Sequence, residues 1–545
     1  MGAIVLSYKK VLQIQTLVLL ANSWHKTSLG SLKASFQYLS FRGRSLYRLM
    51  QFICGTSFMM YGYDAGVLGG VLLHQPFLDA IDNPTGEWVI PWISSSYSLS
   101  AAITCLIVAT FSFRIGRRGT IILGNIAAVI GSVIQSTANS VAQLTVGRVI
   151  TGFAIGCISS AVPTYLAETG AEIGDRGPAN AFNAIMLISG VPLAYWIDYG
   201  FTKSNAQFSW RVPIAFQCVF ALIGGTCMFF LPDTPRYYYA KGRHDEGDAA
   251  LMRLHDAPLD SPKVQATKNE ILMTIEAEDE ASSSLHWKLF LTSGIIDRTP
   301  MKIIRRLCIC FWLPMIREWM GSSLMAYYSS VILSKVGARA SLVSLLAGVL
   351  NIFFALGCVP LYFTIERVGR RSVLMYGAIF MSVLMLIFTV LQAVPPTPSI
   401  QWAGIGIIFI FLFVFGYAWQ GCVWLYASEI APLEYRHIGG AFTGFGEWLM
   451  TFITVFAGPI GLTNVGWKFW IWVLAGNLVA VGFVFFLCPE TGGKTLEQVD
   501  FLFSTTKNPT SFGPKGDDDD VEQTWIEGDK KTSGMQMHEV QVRES

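Results

Sequence analysis

Five charged residues stand inside long apolar runs of this sequence: Asp64, Arg148, Arg317, Glu318 and Glu447. A charge at the centre of an apolar span costs at least about 2.5–3.5 kcal/mol, so such residues are rare and either mark a route for ions or solutes or pair to hold helices together. Asp64 lies within YGYDAGVLGG (61–70) and Arg148 within GRVITGFAIG (147–156). Burial favours a neutral carboxyl, whereas a nearby guanidinium favours the ionised form. An arginine that approached and left Asp64 would therefore make it release and take up a proton. A static pair would only join two helices, and residues alone leave both readings open.

Other chemistries find little support. The ten cysteines all fall in apolar runs, which argues against a disulfide framework or a zinc site, and Cys308 and Cys310 would point to different sides of a helix. His437 has no second histidine at helical spacing, and GRVITGFAIG lacks the preceding strand and the Gly-Lys-Ser/Thr of a phosphate loop. No nucleophile–base constellation and no glycosylation sequon occur, since Asn508 is followed by proline. The chain is expected to be neither an enzyme nor a metal or cofactor binder, and nothing in its net charge of +2 points to nucleic acid.

The elements that must position these charges are membrane spans. The 545 residues are 52% hydrophobic and 14% charged, against about 25% charged in a typical soluble protein. Runs of about 20 apolar residues, enough to cross a bilayer, occur twelve times: 48–72, 92–113, 119–137, 141–166, 179–199, 211–231, 305–333, 341–365, 372–394, 401–427, 438–462 and 467–488. The organisation expected is an N-terminal segment 1–47, a six-helix half 48–231, a polar linker 232–304, a second six-helix half 305–488 and a tail 489–545 rich in acid at Asp517–Asp520 and disordered. Residues 11–21 are apolar but too short to span, and Lys9 and Lys10 argue against a cleaved signal, so the first 40 residues read as a cytoplasmic segment. Tyr237–Tyr239 read as an interfacial aromatic run.

Five short motifs give a resemblance. YGYDAGVLGG, RIGRR (114–118), PDTPR (232–236), ERVGRR (366–371) and PETGGKTLEQV (489–499) stand in order at the ends of the right spans, and AYWIDYG (194–200) and WRVPIAFQ (210–217) are of the fungal kind. Over residues 41–503 the chain resembles the sugar porter family of the major facilitator superfamily. The resemblance implies an all-α membrane protein with twelve transmembrane helices in two six-helix bundles, a monomer that moves a sugar or related polar metabolite with protons across a lipid bilayer, in the plasma membrane. It implies proton coupling by Asp64 and Arg148. It also implies a cytoplasmic gate in which Arg117, Arg118, Arg370 and Arg371 meet acids such as Glu168 and Glu429. Phe113 stands where the family has an aspartate. Export of a secondary metabolite, passive facilitation and a non-transporting nutrient sensor remain alternatives.

The implied substrate site departs from the family. Ala184 follows Arg176 and Gly177 where the family has a glutamine, and REWMGSSLMAYY (317–328) matches its span-7 pattern at Gly321, Tyr327 and Tyr328 only. Arg317 and Glu318 replace two amides, Ser323 replaces an asparagine, Glu447 replaces an amide before Trp448, and Trp424 matches the substrate-stacking tryptophan. Amides donate and accept, arginine only donates and an ionised glutamate only accepts. The expected substrate residues are thus Arg317, Glu318, Ser323, Tyr327, Trp424 and Glu447. Glu447 is the expected partner of Arg317, because neighbours such as Arg317 and Glu318 do not face one another on a regular helix.

Lysine and arginine set the orientation. They cluster at Arg42, Arg44 and Arg48, at Arg114, Arg117 and Arg118, through 236–306 and at Arg367, Arg370 and Arg371, while 73–91, 138–140 and 395–400 have none. Both termini and the linker should be cytoplasmic. Membrane-impermeant thiol reagents added to sealed cells should label single cysteines placed within 75–90 and spare those within 250–290; labelling of the linker would reverse the topology.

Overall fold

The computed structural model describes residues 41–503 apart from 73, 171–175, 285–301, 432–435, 493–498, 500 and 501. The expectations for residues 1–40 and for the acidic tail lie outside the described residues, as do the side chains of Phe113, Arg176, Gly177 and His437.

The first half contains α1 (Gly43–Val71), a short α2 (Gln75–Ala80), α3 (Val89–Ile115), α4 (Arg117–Ser136), α5 (Val141–Thr169), α6 (Arg176–Phe201) and α7 (Phe208–Phe229). The linker folds into α8 (Pro235–Ala240), α9 (His244–His255) and α10 (Pro262–Ser284). The second half contains α11 (Ile303–Trp319), α12 (Ser322–Tyr327), α13 (Ser329–Val336), α14 (Ala340–Val368), α15 (Arg370–Ala393), α16 (Pro398–Phe415), a π-helical turn at Gly416–Gln420, α17 (Cys422–Ile430), α18 (Arg436–Asn464) and α19 (Phe469–Leu487). Counting α11–α13 as one interrupted crossing, and α16 to α17 as another, gives twelve crossings. Ten of these are long and apolar enough to cross a membrane on composition alone; α1 and the interrupted α11–α13 are not among them. The two halves meet where α3 packs on α18 and α6 on α14.

Close backbone contact holds α1 to α6. A Cβ built on Gly62 would lie 1.7 Å from the Leu187 carbonyl oxygen, one on Gly66 would lie 2.8 Å from that of Val191, and one on Gly69 would lie 2.1 Å from the Tyr195 hydroxyl. The ladder ends at Gly70, where a Cβ would lie 2.0 Å from a carboxylate oxygen of Asp198. Small residues at one-turn spacing let two apolar helices touch through their backbones, where dispersion and weak polar contacts replace the hydrophobic drive that lipid cannot supply.

The two halves repeat a device at their linker-side ends. Gly116 (φ 86°) links α3 to α4, and Gly369 (φ 87°) links α14 to α15 at the matching place. Each following helix begins on an acid delivered from the end of its own bundle. Asp233 accepts the Arg118 N–H at 3.2 Å, and Glu490 accepts those of Arg370 and Arg371 at 2.8 and 3.0 Å. A carboxylate at a helix start satisfies N–H groups that have no partner within the helix and meets the positive end of its dipole. Burial pushes the Asp233 carboxyl above the usual range, against the pull of the Thr234 and Arg118 N–H groups. These contacts give PDTPR and PETGG a structural role.

Tyr237–Tyr239 do not form an interfacial belt. Tyr238 and Tyr239 are buried, Tyr239 packing with Leu251 and Val264 in a small core of the linker. The Tyr237 hydroxyl donates to the Arg114 carbonyl at 3.2 Å, and α9 packs on α1. A polar segment of this length can build a helical layer of its own, so its aromatics have a core available and are not left to lipid. All ten cysteines are free; Cys308 is exposed and Cys310 buried, on opposite sides of α11.

The α1–α6 contact predicts a contrast between two glycines. Gly62→Ala drives a methyl into a backbone carbonyl and should cost at least the roughly 3 kcal/mol upper range of overpacking. Gly482→Ala, whose Cβ would meet nothing within 4 Å, should be neutral. Thermal unfolding of the two purified variants in detergent checks this; equal melting temperatures would contradict the backbone contact.

Candidate functional site

Asp64 and Arg148 meet in the middle of the first bundle, both completely buried. One guanidinium nitrogen of Arg148 donates to both carboxylate oxygens at 2.8 Å, and another donates to the Ser94 carbonyl at 3.3 Å. The guanidinium lies over the Tyr97 ring, 4.1 Å from its centroid. Tyr97 in turn touches the second bundle, with ring centroids 5.8 Å from Trp448 and 6.1 Å from Tyr327. Trp448 also packs against Tyr61 and donates to the Ser159 hydroxyl at 3.2 Å. The ion pair is thus one aromatic ring away from the other half. A composition scan finds the charges but not Tyr97, whose part depends on where α3 faces.

Arg317 lies at the end of α11, where the helix stops because Gly321 takes a left-handed φ of 98°. Its guanidinium binds Glu447 of α18 and, at 2.7 Å, also Glu318. Pairing with its sequence neighbour differs from the expectation. The reason is the interruption: the chain leaves the α-helical path at Met320, and two long side chains in the last turn can curl to one point beyond it. A second Arg317 nitrogen donates to the Gln420 side-chain carbonyl at 2.8 Å. The Ser323 hydroxyl donates to Glu318. One guanidinium therefore faces two carboxylates, all of them buried, and among the described residues the second oxygen of Glu447 has no hydrogen-bond partner. Gln420 escapes a reading by helical periodicity because the π-helical turn rotates it by one residue.

Trp424 lines a small cavity of about 20 Å³ with Phe58, Pro163, Asn183, Ala184 and Gln420. Asn183 is buried, and among the described residues neither its amide nitrogen nor its oxygen has a hydrogen-bond partner. The family's glutamine is replaced by Ala184, yet an amide stands one residue earlier and faces the same space. Tyr327 is buried in α12, its carbonyl near Gly69 and its ring against Tyr97. The structure thus brings Arg317, Glu318, Ser323 and Glu447 into one cluster, with Trp424 connected to it through Gln420, while Tyr327 lies against Tyr97 of the Asp64–Arg148 site.

The arginines of the implied gate pair within each bundle. Arg117 binds Glu168 at 2.9 Å, and Thr234 donates to the other oxygen of that carboxylate. Arg370 binds Glu366 at 2.8 Å and Glu429 at 2.9 Å, and Thr491 donates to Glu429. Arg118 donates to the Met228 and Phe229 carbonyls, and Arg371 donates to that of Phe485 at 2.9 Å. These contacts brace helix ends. Among the described residues no cluster of His, Cys, Asp and Glu could hold a metal ion.

Comparison with known proteins agrees with this architecture. The family signature "Sugar (and other) transporter" matches residues 49–503. The MFS-type transporter oryC of Aspergillus oryzae is 30% identical over 472 residues, covering 84% of this chain and 87% of its own. The arabinose-proton symporter of Escherichia coli is 29% identical over 454 residues, covering 81% and 90%. The structure of the proton:xylose symporter XylE bound to 6-bromo-6-deoxy-D-glucose superposes with a TM-score of 0.72 at 19% identity, over 84% of this chain and 99% of that one. The match of that family over residues 49–503 makes this chain a member of the sugar transporter family, and its described helices and two-bundle packing agree: it is a multi-pass membrane transporter of the major facilitator fold and not an enzyme.

Proposed function

We propose that this protein carries a sugar or related polar metabolite into the cell together with protons, by alternating access between its two bundles. The observation that carries the reading is the buried Asp64–Arg148 pair and its contact, through Tyr97, with Trp448 and Tyr327 of the other bundle. A carboxylate so held keeps its charge because the guanidinium compensates it. Rocking of one bundle on the other shifts Tyr97, and with it the arginine it covers. Asp64 separated from Arg148 then takes a proton, since an unpaired charge in this setting is costly. Proton uptake and bundle movement become one event, and solute bound between the bundles moves with it.

The solute enters between Trp424, Asn183 and the Arg317 cluster when the bundles part, since the cavity of about 20 Å³ left there is too small to hold it. Trp424 offers an apolar face, Asn183 both donates and accepts, Arg317 donates, and the free oxygen of Glu447 accepts. That set suits a molecule with several hydroxyl groups and one apolar face. Arg117, Arg118, Glu168, Arg370, Arg371 and Glu429 hold the linker-side helix ends rigid while the bundles rock. The protein acts as a monomer in the plasma membrane with both termini in the cytoplasm, the orientation favoured by its basic loops.

Two expectations follow from these clusters. Asp64→Asn should abolish pH-gradient-driven accumulation in proteoliposomes while leaving counterflow exchange, the solute being found first by screening radiolabelled sugars and polyols; accumulation that remains gradient-dependent in the variant refutes the coupling role. Arg317→Gln should cost about 3–5 kcal/mol by stranding two buried carboxylates. Glu447→Gln alone should cost less, because Glu318 still holds Arg317, and added to Arg317→Gln it should restore part of the loss. Melting temperatures of the three variants measure this, and strictly additive losses would show that Arg317 and Glu447 are not coupled.

A further inference from the structure

Asp198 stands three residues before the end of α6, on the side of the membrane away from the linker. It is 1% exposed, and among the described residues neither carboxylate oxygen has a hydrogen-bond partner. It closes the ladder in which α1 and α6 touch, its carboxyl lying directly against Gly70. Gly70 is six residues beyond Asp64 on α1, which places this carboxyl about 9 Å along that helix from the Asp64–Arg148 pair, at 1.5 Å per residue.

The titratable and charged groups around it are committed elsewhere. On α1 the Tyr63 hydroxyl donates to the Pro213 carbonyl of α7 at 2.9 Å. On α6 itself the Tyr195 hydroxyl donates to the Ala326 carbonyl of α12 at 3.0 Å and accepts from Ser329 of α13 at 2.8 Å. His74 shares a hydrogen bond with Ser209 at 2.7 Å, Lys203 lies over the Tyr199 ring, and Arg211 of α7 donates to the Ser136 carbonyl and to Asn139. Arg148 of α5 is taken by Asp64, and α14 presents Asn351, bonded to Ser329, and Gly348 beside Trp196. No cation faces Asp198 among the described residues. An ionised carboxylate buried without a partner is very costly, and such a group neutralises instead.

We propose that Asp198 is a second proton-binding site, separate from Asp64, which holds its proton while the bundles are closed on the side away from the linker. The closure is made over this spot: Tyr195, one turn away, bonds to α12 and α13, and the Tyr327 carbonyl lies against Gly69. Separating α12 and α13 from α1 and α6 admits water to the seam, and the carboxyl then releases its proton to that water. Closing takes the proton back from the same side. The proton returns to the side it left, so the step makes opening of that side dependent on its pH without adding to the protons carried across, and it uses neither Asp64 nor the solute site.

Infrared spectroscopy of the full chain in liposomes tests this without a substrate. At neutral pH the protein should show the C=O stretch of a protonated side-chain carboxyl that is missing from Asp198→Asn and retained in Asp64→Asn. A spectrum of Asp198→Asn with that band intact overturns the proposal. Should Asp198→Asn not fold, the wild-type protein decides. Dicyclohexylcarbodiimide, which modifies protonated carboxyls in apolar surroundings, should leave its adduct on the peptide containing Asp198, with loss of the adduct at alkaline pH. Adducts found only on peptides containing Asp64, Glu318 or Glu447 overturn it.

Discussion

A charge enclosed by apolar helices must be matched, and the arrangement of this protein's interior depends on how each one is. Arg148 is matched one to one by Asp64 within the first bundle, so that bundle can bury its pair completely. Arg317 is matched twice, by Glu318 and Glu447, with Gln420 completing its shell. These contacts dictate which faces of α1, α5, α11 and α18 turn inward. The aromatic residues fill in around them: Tyr97 over Arg148, Trp448 between Tyr97 and Tyr61. Breaking such a match by removing one partner is far more damaging than removing both, because the remaining charge has nowhere to go.

The two halves share an outline but divide the work differently. Both turn at a glycine of left-handed φ and both seat the next helix on an acid from their own final loop. The first half keeps its early helices continuous and joins α1 to α6 by glycine contacts. The second half breaks its first crossing at Gly321 and inserts a π-helical turn before Gly421. Interruptions free backbone and side chains for ligands at the middle of a membrane protein, and they are tolerated where they line a cavity. The first half thus holds the tight pair, and the second holds the irregular, surplus-charged surface.

Much of this is legible in the sequence. Twelve apolar runs, the basic clusters between them, and Asp64 and Arg148 standing alone in their spans need only length, composition and the cost of burying charge. What escapes is what depends on departures from a regular helix. Arg317 meets Glu318 because α11 ends just beyond them, and Gln420 reaches Arg317 because a π-helical turn shifts it. Asp198 sits near the end of its apolar run, where a carboxylate reads as a boundary residue, and only packing against Gly70 shows it to be interior. Asn183 hides behind its neighbour Ala184, since a motif compares one position at a time whereas a cavity accepts whichever side chain points into it. Tyr239 of the linker looks like a residue of a membrane surface until α9 and α10 provide a core for it.

The linker's attachment has a mechanical consequence. Tyr237 ties α8 to the end of α3, and α9 rests on α1, so the described linker helices are fastened to the first bundle. Any movement of the first bundle against the second therefore carries these helices along with it. Any load placed on α8–α10 is delivered to α1 and α3, the helices that carry Asp64 and Tyr97.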